Sequence, residues 1–140
     1  MDNRNNNFIK SFRDLEVYRN TYKASIEVMT AVLPKLPNSE KYDLRDQISR
    51  SCKAIPRLIA EGYAKRHQKL GFQKYLDDAM AECNETIVGL EHCKDLYKID
   101  KKLCDTLIDI YDKSARQLFN LAKAWHNFKD ERRNPYRKND

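Results

Sequence analysis

Apolar residues recur along this chain in steps of three and four, which places them on single faces of successive α-helices. A first stripe holds Leu15, Tyr18, Tyr22, Ile26, Met29, Leu33 and Leu36. Asp14 suits its start, and Pro34 and Pro37 mark its end. The linker PKLPNSE follows, with Asn38 or Ser39 as the expected N-cap of a second helix. That helix runs Leu44, Ile48, Ser51/Cys52, Ile55, Leu58/Ile59, Gly62, and its stripe passes through Pro56 without losing phase. One helix kinked at Pro56 is therefore expected, because proline removes an N–H and crowds the carbonyl at Cys52. Gly62 lies on the stripe, where it can admit a neighbouring backbone or prepare the helix end.

The third stripe is the most regular: Phe72, Leu76, Ala79, Cys83, Thr86, Leu90, Cys93, Tyr97. The fourth runs Leu107, Ile110/Tyr111, Ser114, Leu118, Leu121, Trp125, Phe128. This spacing suits bundle helices crossing at small angles. The turns RHQKLG and KIDKK are short, so neighbouring helices should run antiparallel. The expected fold is all-α: an antiparallel up-down-up-down four-helix bundle over residues 12–128, its second helix kinked at Pro56. A flexible N-terminus (1–11) and a basic C-terminal tail (129–140) flank it. Tyr111, Phe119 and Ile108 lie beside the fourth stripe, and Tyr75 and Ile87 flank the third. A bundle needs one stripe per helix, so these extra apolar residues point to a homo-oligomer.

Composition agrees with this picture. A chain of 140 residues fits one domain, and three Gly and four Pro are too few for a β-rich or loop-rich fold. Hydrophobic residues at 41% and charged residues at 34% describe a helical protein with heavily charged outer faces. No apolar run reaches membrane-span length, and MDNRNNNFIK holds no apolar signal core, so a cytoplasmic chain without membrane partners is expected. Cys52, Cys83, Cys93 and Cys104 form no C-x-x-C pair and fall on or beside apolar positions, which fits a reducing compartment.

Enzyme chemistry finds no foothold. His67, His92 and His126 are scattered, and no Glu-x-x-His, phosphate loop or H-E-x-x-H occurs. Glu82 and Glu85 stand three apart but flank the apolar line, and they read as solvated or interface carboxylates. No catalytic residue, metal or cofactor is expected. The positive signal is basic. Arg50, Lys53 and Arg57 share one face of the second helix, and Lys65, Arg66, His67 and Lys69 extend the charge into the next turn. Lys129, Arg132, Arg133, Arg137 and Lys138 crowd the tail, and the chain carries a formal net charge of +6. Of these, Arg50, Lys53, Arg57, Lys65, Arg66 and the five Lys and Arg of the tail are the ten candidate nucleic-acid contacts. For a single subunit a solvated outer face is the better explanation, since Glu61 can pair with Arg57 or Lys65, and the density of charge in the tail is what favours a polyanion.

Several motifs resemble a known family: Phe12-x-Asp14-Leu15, Pro37-x-x-Glu40, Leu44-x-x-Gln47-Ile48, and Ile55-Pro56 followed by Ile59-Ala60-Glu61-Gly62. They resemble the bacterial four-helix-bundle proteins first noted in intervening sequences of large-subunit ribosomal RNA genes. The accessory variability determinants of diversity-generating retroelements share that fold. The resemblance covers roughly residues 12–125. Where relatives often have Ser and Asn around the proline, this chain has Ala54 and Leu58. The resemblance implies a homopentamer without catalytic activity. In the retroelement branch it implies a basic subunit that binds a reverse transcriptase and its RNA or RNA/DNA. The alternative is a structural oligomer of the ribosomal type that scaffolds protein partners and has no nucleic-acid role.

Overall fold

The computed structural model describes the backbone of residues 9–133 and the side chains of residues 9–126. Four α-helices dominate these residues: α1 (Glu16–Glu27), α2 (Leu44–Ala64), α3 (Gly71–Tyr97) and α4 (Lys101–Arg133). No strand occurs among the described residues. The extents expected for the N-terminus and tail fall largely on residues 1–8 and 134–140, outside the described residues.

The chain enters through a 3₁₀ turn, Phe12–Asp14. Ser11 Oγ accepts the Arg13 N–H at 3.1 Å, while Asp14 Oδ2 accepts the N–H groups of Lys10 and Ser11 at 2.8 and 3.1 Å. Asp14 thus caps this turn, and α1 starts two residues later. The helical path does not stop at Glu27. It widens into a π turn, Val28–Val32, and tightens into a 3₁₀ turn, Leu33–Lys35, before Pro37.

The cap of α2 differs from the expected one. Asn38–Glu40 form a separate 3₁₀ turn, and Asp43 occupies the N-cap position without a side-chain cap bond. Glu40 reaches forward instead, and its Oε1 accepts the Leu44 N–H at 3.1 Å. From there α2 runs unbroken through Pro56, which is buried.

The stripes of α2, α3 and α4 form the core. Ile48, Cys52, Ile55, Ile59, Phe72, Leu76, Cys83, Leu90, Leu107 and Leu118 are buried. Tyr111 is fully buried, as its place on the fourth stripe predicts and against its use as extra outward surface, because the inward line of α4 runs Cys104, Leu107, Tyr111, Ser114, Leu118. Phe119 is exposed as expected. The first stripe is buried at its ends, at Leu15, Leu33 and Leu36, but along α1 the inward face is rotated from the expected one. Val17, Thr21, Ala24, Ser25 and Val28 point inward, whereas Tyr22 and Ile26 are 51% and 48% exposed. Small side chains face the core here, and the buried hydroxyls are satisfied by their own helix. Thr21 donates to the Val17 carbonyl at 2.8 Å and Ser25 to the Tyr22 carbonyl at 2.6 Å.

Two glycines set the α2–α3 seam. A Cβ on Gly62 would lie 2.7 Å from the Cβ of Tyr75 and 3.1 Å from Phe72 Cδ1. A Cβ on Gly89 would lie 2.5 Å from Ile48 Cγ1. Between them the Ser51 and Thr86 hydroxyls, both buried, are 2.8 Å apart. The α3–α4 seam joins Lys94 to Asp105 at 2.9 Å near one end and Phe72 edge-on to Trp125 at 5.4 Å near the other.

Candidate nucleic-acid interface

The ten basic residues singled out in the sequence fall into three places. Arg50, Lys53 and Arg57 are exposed along α2. Arg50 pairs with Asp46 at 3.2 Å and Arg57 with Glu61 at 2.9 Å. Lys53 makes no ion pair among the described residues. Exposed pairs of this kind contribute only ~0.3–0.5 kcal/mol each, but they leave Lys53 as the row's one unpaired charge of three among the described residues. Across the seam, Asp78, Glu82 and Glu85 add negative charge. Burial raises the Glu82 carboxyl above its ordinary range, the nearby Glu85 and Asp78 raise it further, and Arg57 opposes them.

The second place is the turn between α2 and α3, which holds Lys65 and Arg66. Arg66 lays its guanidinium on the Tyr63 ring, 3.9 Å from the centroid, and donates to the Tyr63 carbonyl at 2.7 Å. Lys65 reaches across to Tyr75, its Nζ 2.7 Å from the phenol oxygen and 4.9 Å from the ring centroid. That hydrogen bond raises the Lys65 pKa, so the ammonium stays charged. Gly62 makes the arrangement possible, since only a missing Cβ lets Phe72 and the stem of Tyr75 approach this closely. The turn itself closes through Leu70, held at φ 59°, and Gly71, where a Cβ would collide with the Lys65 carbonyl at 2.2 Å.

Other cations collect at the same end. The Tyr63 hydroxyl lies 3.4 Å from the Ile9 carbonyl and brings the N-terminal segment alongside. Lys10 and Arg13 come with it, Arg13 lying over Phe12 at 4.5 Å, and Arg19 donates to the Arg13 carbonyl at 2.9 Å. His67, Lys69 and Lys74 complete the group from the turn and the first turns of α3. Lys10, Arg13, Arg19 and Lys74 escaped the sequence reading, because they come from three separate segments and form no run. Of the nearby carboxylates, Asp14 is engaged in capping and Glu61 with Arg57, while Asp77 and Asp78 stand exposed on α3 just after Lys74. At the opposite end of the bundle, cations pair with acids: Lys35 with Asp100 at 3.5 Å, and Lys94 and Lys101 with Asp105 at 2.9 and 2.7 Å.

The third place is the tail. Lys129, Arg132 and Arg133 lie on the last turns of α4, just beyond Trp125, which packs edge-on against Phe72. Their side chains, and Arg137 and Lys138 altogether, lie outside the described residues.

Other candidate chemistry is sparse. Burial pushes the thiol of Cys52 up to about 11 and those of Cys83 and Cys93 up to about 12, far from thiolate reactivity. No group of three or more His, Cys, Asp or Glu among the described residues is placed to hold a metal ion. No helix among them is long and apolar enough to cross a membrane. A cleft of about 390 Å³ between α1 and α4 is lined by both signs of charge, including Glu16, Lys23, Glu27 and Lys113.

A comparison with curated proteins finds no match to the chain. The family comparison does find one, and it agrees with the resemblance read from Phe12-x-Asp14-Leu15 onward: the model of the 23S rRNA-intervening sequence proteins matches residues 13–120, and the chain belongs to that family.

Proposed function

We infer that the chain is a non-enzymatic, homo-oligomeric RNA-binding subunit. The observation that carries this reading is the cationic, aromatic-rich end formed by Lys10, Arg13, Arg19, Lys65, Arg66 and Lys74, from which the basic tail departs. Such an end gathers several positive charges that phosphates can engage. The proposed architecture is an up-down-up-down bundle with α2 bent at Pro56. The pairings of Ile48 with Gly89 and of Gly62 with Phe72 support opposed α2 and α3. Oligomerisation, with five copies as the proposed number, is supported by the outward apolar row of α1. There Tyr22 and Ile26 are exposed beside the half-buried Tyr18, and the half-buried Met29 follows in the π turn. A ring would repeat each basic end several times and raise avidity. In the retroelement setting the RNA would be shared with a reverse transcriptase, and copurification of the two tests that partnership.

The test is a salt titration of RNA binding. Each phosphate contact should contribute about −0.7 to the log–log slope on a single strand. Replacing Lys65, Lys69 and Lys74 together with Gln should flatten the slope by about two contacts per engaged subunit, and deletion of 129–140 should act similarly. The Arg50, Lys53 and Arg57 triple replacement should have a smaller effect, because two of these charges are already paired.

A second reading, a structural scaffold without a nucleic-acid role, is favoured by the internal pairing of Arg50 and Arg57. It takes over if the wild-type protein binds no RNA at low salt.

A further inference from the structure

We propose that the turn between α2 and α3 is a stacking platform that selects unpaired RNA bases over duplex. This rests on the RNA-binding reading and deepens it. The platform is a column of planar groups rooted in the core. Trp125 meets Phe72 edge-on at 5.4 Å, and Phe72 is 1% exposed. Phe72 meets Tyr63 edge-on at 6.2 Å, and the Arg66 guanidinium caps Tyr63 at 3.9 Å. The Tyr63 carbonyl fixes the guanidinium plane by a second contact at 2.7 Å.

A cation held flat on a ring costs little further ordering when a base stacks on it, since its rotamer is already set. A solvated lysine has no such plane. Beside the column, Tyr75 presents a second ring, with Lys65 over it at 4.9 Å and Lys74 at 5.9 Å. Ring–cation contacts on Tyr63 and Tyr75 flank the turn, which also carries exposed His67 and Lys69, and together they resemble the combination that single-stranded binding uses: planar faces for bases, charges for the backbone. Duplex RNA keeps its bases stacked internally and offers this turn only phosphates.

Arg66→Lys separates the two contributions, because it keeps the charge and removes the plane. Tyr63→Leu removes the ring and keeps apolar cover over Phe72. The probes are a short single-stranded RNA carrying one 2-aminopurine and the blunt duplex of the same strand. Wild type should bind the single strand more tightly and change the 2-aminopurine fluorescence on binding. Each variant should bind the single strand about five- to tenfold more weakly and lose most of its preference for strand over duplex. If Tyr63→Leu fails to fold, judged by circular dichroism, Arg66→Lys alone decides. Equal wild-type affinity for strand and duplex, or an Arg66→Lys protein that keeps the strand preference, overturns the platform while leaving electrostatic RNA binding intact. Absence of any RNA binding at low salt overturns both. Binding of an acidic protein in its place would assign the turn to a protein partner.

Discussion

Tyr97, at the end of α3, donates its hydroxyl to one carboxylate oxygen of Glu40, whose other oxygen caps the N-terminus of α2 through Leu44. One side chain from the linker thus ties together the start of one helix and the end of the next. The Tyr97 hydroxyl and the Leu44 N–H hold the Glu40 carboxyl below its ordinary 4.5. Because the folded value is depressed, the unfolded chain binds this proton more readily. The tie therefore contributes stability above that ordinary value, and loses it as pH falls through the folded value. The Tyr97 phenol is raised, chiefly by Glu40, so its contribution is present below its ordinary 10 and is lost at more alkaline pH. Glu40→Gln and Tyr97→Phe should each lower the thermal midpoint at neutral pH. The gap from wild type should narrow in acid, which a series of melts between pH 3 and 8 would show. An unchanged gap across that range would remove the tie from the account.

Gly89→Ala should destabilise the protein. The added methyl would meet Ile48 at Cγ1, near the root of a fully buried, β-branched side chain that cannot swing clear. Overpacking of this kind costs ~1–3 kcal/mol, against ~1 kcal/mol of improved helix propensity. Urea unfolding should report a lower midpoint with an unchanged slope.

Lys98→Gly should do the opposite. Lys98 ends α3 at φ 54°, a conformation glycine adopts freely and other residues adopt at a cost. A gain of roughly 0.5–1 kcal/mol is expected after allowing for the extra freedom of glycine in the unfolded chain. The same urea experiment measures it, and a loss of stability would show that the exposed Lys98 bond to the Asp95 carbonyl, at 3.0 Å, matters more than the backbone.

Pro56→Ala tests the proposed bend. Alanine restores the N–H that can meet the Cys52 carbonyl and favours a straighter α2. Helical circular dichroism should be retained, while light scattering of the assembled protein should show easier dissociation on dilution. An oligomer of unaltered mass and stability would show that Pro56 has no part in assembly.

The cores of α2 and α3 were legible because their large apolar residues and their inward faces coincide: Ile48, Ile55, Phe72, Leu76 and Leu90 fall where the spacing puts them. In α1 the two diverge. Tyr22 and Ile26 carry more hydrophobic area than Thr21, Ala24 and Ser25, so a stripe drawn through the largest side chains turns toward solvent. The helix instead packs closely through its small ones. The α2 cap was missed for a related reason. Glu40 precedes the helix by four residues, and its role depends on a turn that only the folded linker supplies. Of the interface, the charges could be read and their pairing could not. Nothing in the spacing separates Arg57, held by Glu61, from Arg66, held on a ring.

The narrow, small-residue packing of α1 has a dynamic consequence. Its buried hydroxyls bond to their own backbone, its C-terminal path passes through a π turn, and its side-chain bond to α4, from Gln117 to Glu16 at 2.8 Å, is exposed. Locked by two glycine contacts and a buried hydroxyl pair, α2 and α3 have no comparable slack. Local opening should therefore begin at α1, whose amides would exchange with deuterium well before those of the other three helices. A partner seated on Tyr22 and Ile26 would slow that exchange first and most, so α1 would act as the reporter of whatever binds its outer face.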